Sequence, residues 1–193
     1  MDMSRGSSGR PAAVAAAALA AVTALSGCAA VPGAQAGCKG SEGGRRALAA
    51  LPVLGAHPEG AASPPGFAEP YTGCDDDSSS GTGSGAWLYA GRLYTTAQAP
   101  EAVSGFYREA AAADGWAAKT APGAGGPAGP KAADLCFDRS GPGGARTLEL
   151  RFMDPDEARE VYGYTPPAGA RPPRVYRVEA AAPADGGTFA CSD

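Results

Sequence analysis

Isoleucine is absent from the 193 residues, only three lysines occur, and there is one histidine, His57. A single imidazole rules out mechanisms and metal sites that need several. The sequence holds no C-x-x-C pair, no G-K-[ST] and no G-x-S-x-G, so it offers neither a phosphate loop nor a nucleophile elbow. Positive charge is scarce too. A formal net charge of −4 and a pI of about 5.0 speak against an electrostatic grip on nucleic acid. Beyond Cys28 no apolar run approaches the roughly 20 residues that a membrane-spanning helix needs. What abounds is alanine, with 29 glycines and 18 prolines, together nearly half the sequence. Joined to the missing isoleucine, that bias has the character of a GC-rich genome. The length suits one ordinary domain with tails.

The N-terminus reads as an address. Arg5 and Arg10 outweigh Asp2, and Pro11 to Leu25 is an uncharged Ala/Val/Leu run. As a helix that run would measure about 22 Å at about 1.5 Å per residue, short of a hydrocarbon core of about 30 Å. A charged start, a short apolar middle and small residues after it make a secretory signal peptide. The junction Leu25-Ser26-Gly27-Cys28 resembles the bacterial lipobox. The resemblance implies that the Cys28 thiol receives a diacylglycerol with palmitate-type chains and that the peptide is cut before it. Two or more acyl chains hold a protein stably on a bilayer. The expected location is therefore the outer, extracytoplasmic face of the cell membrane, with the lipid bilayer as partner through Cys28. No twin-arginine pair is present, which favours the general secretion route.

Cys38, Cys74, Cys136 and Cys191 remain, an even number in an exported protein, and read as two disulfides with three possible connectivities. Cys136 sits within one strand-like run and Cys74 just before another. The favoured pairing is therefore Cys74–Cys136, with Cys38–Cys191 tying the ends. Closing a long loop this way stabilises by about 4 kcal/mol in the chain-entropy model. Zinc is the competing use, but the cysteine spacing is far from the usual ligand pattern.

Most large apolar and aromatic residues of the mature protein fall between Ala86 and Ala180, so the core belongs there. The expected organisation is a signal peptide (1–27), a flexible tether (28–45), an extended Pro/Gly-rich segment with an acidic turn (46–85), an α+β domain (86–180) and a tail tied by Cys191 (181–193). Ala86–Thr96 reads as a strand. Pro100 and Glu101 suit a helix start, and Val103, Phe106, Tyr107 and Ala110 form one stripe. Gly115 reads as a left-handed stop, with Trp116 folding back. Ala133–Arg139 and Arg146–Met153 flank a glycine-rich turn and read as a hairpin. Leu148, Leu150 and Phe152 point inward, while Thr147, Glu149 and Arg151 face water. Arg174–Glu179 reads as the last strand. These elements make an antiparallel sheet of about four to five strands packed on one main helix, disulfide-stapled, with one face covered.

Each chemistry-bearing residue has a plain structural reading beside the chemical one. His57 precedes Pro58 in a loop outside the core and reads as a solvated side chain. The run Asp75-Asp76-Asp77 lacks the glycine and glutamate spacing of a calcium loop and reads as a polar turn. Asp154, Asp156 and Glu157 offer the paired carboxylates of a glycosidase, but their spacing suits a helix start better. Trp87, Tyr89, Tyr94, Tyr107 and Trp116 are assigned to the core rather than to a ligand groove. No metal and no cofactor are expected.

From Cys74 through Trp116 and on to the hairpin at 153, the sequence resembles small secreted lipoproteins of actinomycete type. That resemblance carries over no functional residue beyond Cys28. The expected function is a non-enzymatic binding or interaction domain on a membrane anchor. The alternatives are a cell-envelope hydrolase or accessory factor using carboxylates, and a purely structural surface protein.

Overall fold

The computed structural model describes residues 36–76, 85–119, 134–141, 144–167, 173–187 and 191, all within the unit Pro32–Asp193. The signal segment and Cys28 lie outside the described residues, as do Asp77 and the residues after it up to 84. No described helix is long and apolar enough to cross a membrane.

The fold is α+β, with one antiparallel sheet of six strands. A 3-10 turn at Ala36–Cys38 leads into helices α1 (Glu42–Ala49) and α2 (Pro52–Gly55). Strands β1 (Tyr71–Asp76) and β2 (Ala86–Thr96) follow, then α3 (Pro100–Ala113) and β3 (Ala117–Lys119). The hairpin β4 (Leu135–Gly141) and β5 (Gly144–Met153), α4 (Pro155–Tyr162) and β6 (Arg174–Pro183) complete it. In space the strands run β1-β2-β6-β5-β4-β3. The last strand is thus central, paired along β2 on one side and β5 on the other. Its sequence allows this because Val175, Tyr176, Val178 and Ala180–Ala182 are all buried. Four of the six are the strands read from the sequence, and the additional two are β1 and the three-residue β3.

Side-chain alternation sorts the sheet into two faces. The inner face carries Leu88, Ala90 and Tyr94 of β2, Leu148, Leu150 and Phe152 of β5, and Tyr176 and Val178 of β6. Leu48, Leu51, Val53 and Leu54 from α1, α2 and their junction cover it, with Val103, Tyr107 and Ala111 of α3. The Tyr94 and Tyr107 hydroxyls donate to the Leu54 and Ala56 carbonyls, each at 2.7 Å, and so fasten the α2 segment over the sheet. Residues 36–56 are therefore structured. The expected tether at 28–45 and extended segment at 46–85 are corrected to that extent. A Pro/Gly-rich composition concealed a short amphipathic helix and the edge strand β1.

Helix α3 occupies the expected span, but its buried stripe is Val103, Ser104, Tyr107 and Ala111. Phe106 and Ala110 are only half-buried. Ser104 can enter the core because its hydroxyl donates to the Pro100 carbonyl at 2.9 Å. The helix ends in a Schellman arrangement. Gly115 takes φ +78°, its N–H reaches the Ala112 carbonyl, and the Trp116 N–H reaches Ala111. Trp116 is buried beneath Arg139, whose guanidinium carbon lies 4.4 Å from the ring centre.

The disulfides join Cys38 to Cys74 and Cys136 to Cys191, with Cα separations of 5.9 and 6.0 Å. The expected pairing Cys74–Cys136 and Cys38–Cys191 is overturned, and the strand order gives the reason. Three strands separate β1 from β4, which puts them roughly 19 Å apart at about 4.8 Å per strand. Cys74 packs toward the inner core, whereas Cys136 alternates with the inward Leu135 and Phe137 and so faces the other way. The segment that follows β6 is tied by Cys191, as expected of that residue, but to β4.

Candidate functional site

The outer face of the sheet is where the charged and aromatic side chains gather. One end is apolar: Leu93, Met153 and Val175 meet Ala158 of α4, with Phe67, Tyr162 and Tyr164 packed around them. Helix α4 starts at Pro155 with Asp156 and Glu157 in its first turn, where carboxylates favour the positive helix end. Gly163, at φ +67°, closes it in the left-handed conformation, and the Tyr164 N–H reaches back to the Ala158 carbonyl. The helix is pinned by an ion pair of 2.7 Å between Glu157 and Arg151. The water-facing side expected for β5 is therefore partly roofed.

Beyond α4 the register of β1, β2, β6 and β5 arranges the outer face in rows. Tyr71, Gly91, Glu179 and Glu149 form one row, Gly73, Tyr89 and Ala181 the next, and Asp75 and Trp87 a third. The two glycines explain how the tyrosines lie. A Cβ at Gly91 would collide with the Tyr71 ring and hydroxyl, and one at Gly73 with those of Tyr89. Each tyrosine thus lies across the glycine of the neighbouring strand, giving two rings flat on the sheet. Trp87 continues this floor, and Val161 and Tyr162 of α4 form a wall. The resulting cleft has a volume of about 410 Å³.

A polar network holds Tyr71 and Tyr162 in place. Tyr71 donates to Glu179 Oε2 at 2.9 Å and shares a hydrogen bond of 3.2 Å with the Tyr162 hydroxyl. Since Tyr71 gives its proton to Glu179, Tyr162 donates to Tyr71, and Tyr162 in turn accepts from Arg177 Nη1 at 3.4 Å. Arg177 also donates to both oxygens of Glu179 at 3.3 Å and to Glu149. Glu149 and Glu179 stand opposite each other across β5 and β6, an unfavourable like-charge pair that Arg177 bridges and partly offsets.

Burial raises the Glu179 carboxyl above its ordinary value, with Arg177 pulling the other way. Burial also raises the Tyr71 hydroxyl, reinforced by the Glu179 charge. For Arg177 burial would lower the pKa, but Glu179 and Glu149 outweigh it and keep the guanidinium charged. Tyr89 is raised by burial and then by the Asp75 carboxylate. The Asp75 side chain is exposed and, among the described residues, has no hydrogen-bond or ion-pair partner.

The residues singled out from sequence divide accordingly. Tyr94, Tyr107 and Trp116 are core residues. Trp87 and Tyr89 are not. They lie half-buried in the cleft on the opposite face, which corrects their assignment to the core. His57 is exposed in its loop and touches the Tyr94 ring at 5.3 Å. Asp76 accepts from the Gly37 N–H at 2.9 Å, joining β1 to the 3-10 turn. Asp156 pairs with Arg159 at 2.8 Å, and Asp154 stands at the N-cap position of α4. Among the described residues no group of His, Cys, Asp and Glu is placed to hold a metal ion. Tyr71, Arg177 and Glu179 were not singled out from sequence, and Glu149 was read only as a water-facing residue. The available signal was the alternation in Arg174–Glu179, which sends Arg177 and Glu179 to the face opposite Tyr176 and Val178.

No family model, curated protein or solved structure matches the sequence.

Proposed function

We propose that the protein is a lipoprotein tethered through Cys28 to the outer face of a cell membrane, where its α+β domain works as a binding module. The observation that carries the binding role is the cleft. Its Tyr71 ring and Tyr162 wall are held in fixed orientation by hydrogen bonds to Glu179 and Arg177, Tyr89 lies across Gly73, and a preorganised concave surface with a few placed polar groups is what small-ligand sites share. Support for the tether is the lipobox-like Leu25-Ser26-Gly27-Cys28 after an apolar leader, and two disulfides fit an oxidising compartment. Against a carboxylate hydrolase at Asp154 and Glu157 stands the engagement of Glu157 with Arg151 and of Asp156 with Arg159.

Two measurements test this reading. Cys28→Ala is expected to move the protein from the membrane fraction to the medium or to leave the leader uncut; unchanged fractionation with a cut leader overturns the lipid tether. Native mass spectrometry of protein extracted from its own membranes is expected to show a bound component that Tyr89→Ala loses. A component retained equally by Tyr89→Ala places binding elsewhere.

A further inference from the structure

The charge of the cleft identifies the class of ligand. Of the ionised groups lining it, Arg177 is already engaged with Glu179 and Glu149, so its positive charge is spent inside the floor. Asp75 is the carboxylate left over, and its cross-strand partner is Trp87. Rings of Tyr71, Tyr89, Trp87 and Tyr162 surround the same space. Faces of aromatic rings carry negative potential and attract cations, tryptophan most strongly, and a nearby free carboxylate adds to that attraction. An anion would meet Asp75 and Glu179 with no uncommitted positive group among the described lining residues. A neutral sugar would gain stacking but leave Asp75 without a complementary charge.

Resting on the binding role above, we infer that the cleft receives an organic ammonium ion, seated against the Trp87 and Tyr89 rings with Asp75 as its counter-charge. The Tyr89 hydroxyl is raised first by burial and then by the Asp75 and Glu179 carboxylates, with Arg45 pulling the other way. The volume of about 410 Å³ admits a methylated ammonium group with part of the molecule that bears it. Two sources share that chemistry: a free small quaternary cation and the lysine ammonium of another protein.

The experiment titrates the full-length protein in a polyoxyethylene detergent, observing the two tryptophan indole N–H signals by NMR. The probes are choline and Nα-acetyl-lysine methylamide. Controls are 3,3-dimethylbutan-1-ol (the neutral isostere of choline), inorganic phosphate and an N-acetylglucosamine tetramer. Choline or the lysine derivative is expected to shift the Trp87 signal in a saturating way in the millimolar range while Trp116 stays still. Whichever cation binds more tightly names the source. The neutral isostere is expected to bind at least about fivefold more weakly, and Tyr89→Ala and the exposed Asp75→Asn each to weaken the cation by about fivefold on the same Trp87 signal. Equal binding of cation and isostere, or a response to phosphate or the sugar instead, overturns the ammonium assignment. So does silence of both cations while native mass spectrometry still finds a component lost in Tyr89→Ala, and then the binding role stands. Silence of every probe together with no such component removes both.

Discussion

Tyr71 and Tyr89 reach their positions only because the residue opposite each has no side chain. Gly91 is buried in the middle of β2, and its conformation is an ordinary extended one. Its role is therefore the space it leaves rather than a backbone that only glycine adopts. An added methyl there would push the Tyr71 ring off the sheet and break its hydrogen bond to Glu179, leaving a buried carboxylate short of a donor. Gly91→Ala is expected to cost about 1–3 kcal/mol in chemical denaturation. It should also broaden or move the Tyr162 ring signals. A variant as stable as the parent would show that Tyr71 does not depend on that space. Glu179 makes a second prediction, of pH dependence. Its folded carboxyl is raised, chiefly by burial, so the native state holds that proton more tightly than the unfolded state does. Its contribution to stability is complete below the ordinary carboxylate value and declines as pH rises through the raised one. Glu179→Gln removes this dependence. The melting temperature of Glu179→Gln relative to the parent is therefore expected to climb between pH 4 and pH 7 in calorimetry. A relative fall over that window would mean that the Arg177 ion pair outweighs burial.

At the scale of elements, legibility followed locality. Strand β2, helix α3 with its Gly115–Trp116 ending and the β4–β5 hairpin are each announced by neighbouring residues: aromatic alternation, a proline start, a glycine stop, a turn cluster. Strand β1 is not, because Tyr-Thr-Gly-Cys-Asp-Asp has one large side chain in six residues. It exists as a strand through pairing with β2 and through the Cys38 bridge. The central place of β6 was illegible for a related reason. Nothing in Arg174–Pro183 says which strands it parts, although the three consecutive buried alanines near its end fit a strand packed on both faces. The cleft inherits that difficulty. Trp87 and Tyr89 are visible as aromatics in a strand, but whether an odd-numbered position of β2 faces the core or the cleft depends on which face the helices α1 to α3 cover. Once β6 is placed, Arg177 and Glu179 follow by alternation, and Tyr71 follows from register with Gly91.

In the whole molecule the two disulfides divide the work of closing the fold. The inner strands β2, β6 and β5 are held by the hydrophobic layer beneath α1, α2 and α3. The flanks have less to bury, and each receives one bridge: Cys38–Cys74 fixes the turn before α1 to the edge strand β1, and Cys136–Cys191 fixes the segment beyond β6 to β4. The closed loops span 36 and 55 residues, which in the chain-entropy model correspond to about 4 kcal/mol each. Because the floor of the cleft begins at β1, loosening that edge should reach the site, whereas loosening β4 should not. The double variant Cys38→Ser/Cys74→Ser is thus expected to lose about 2–4 kcal/mol and to weaken whatever binds at Trp87 and Tyr89. Cys136→Ser/Cys191→Ser is expected to lose a similar amount while leaving binding at temperatures well below unfolding intact. Peptide mapping of the unreduced protein checks the premise directly, with Cys38 linked to Cys74 and Cys136 to Cys191. Recovery of a Cys74–Cys136 peptide would require β1 and β4 to be neighbours, and that strand order would take the cleft apart along with the sheet.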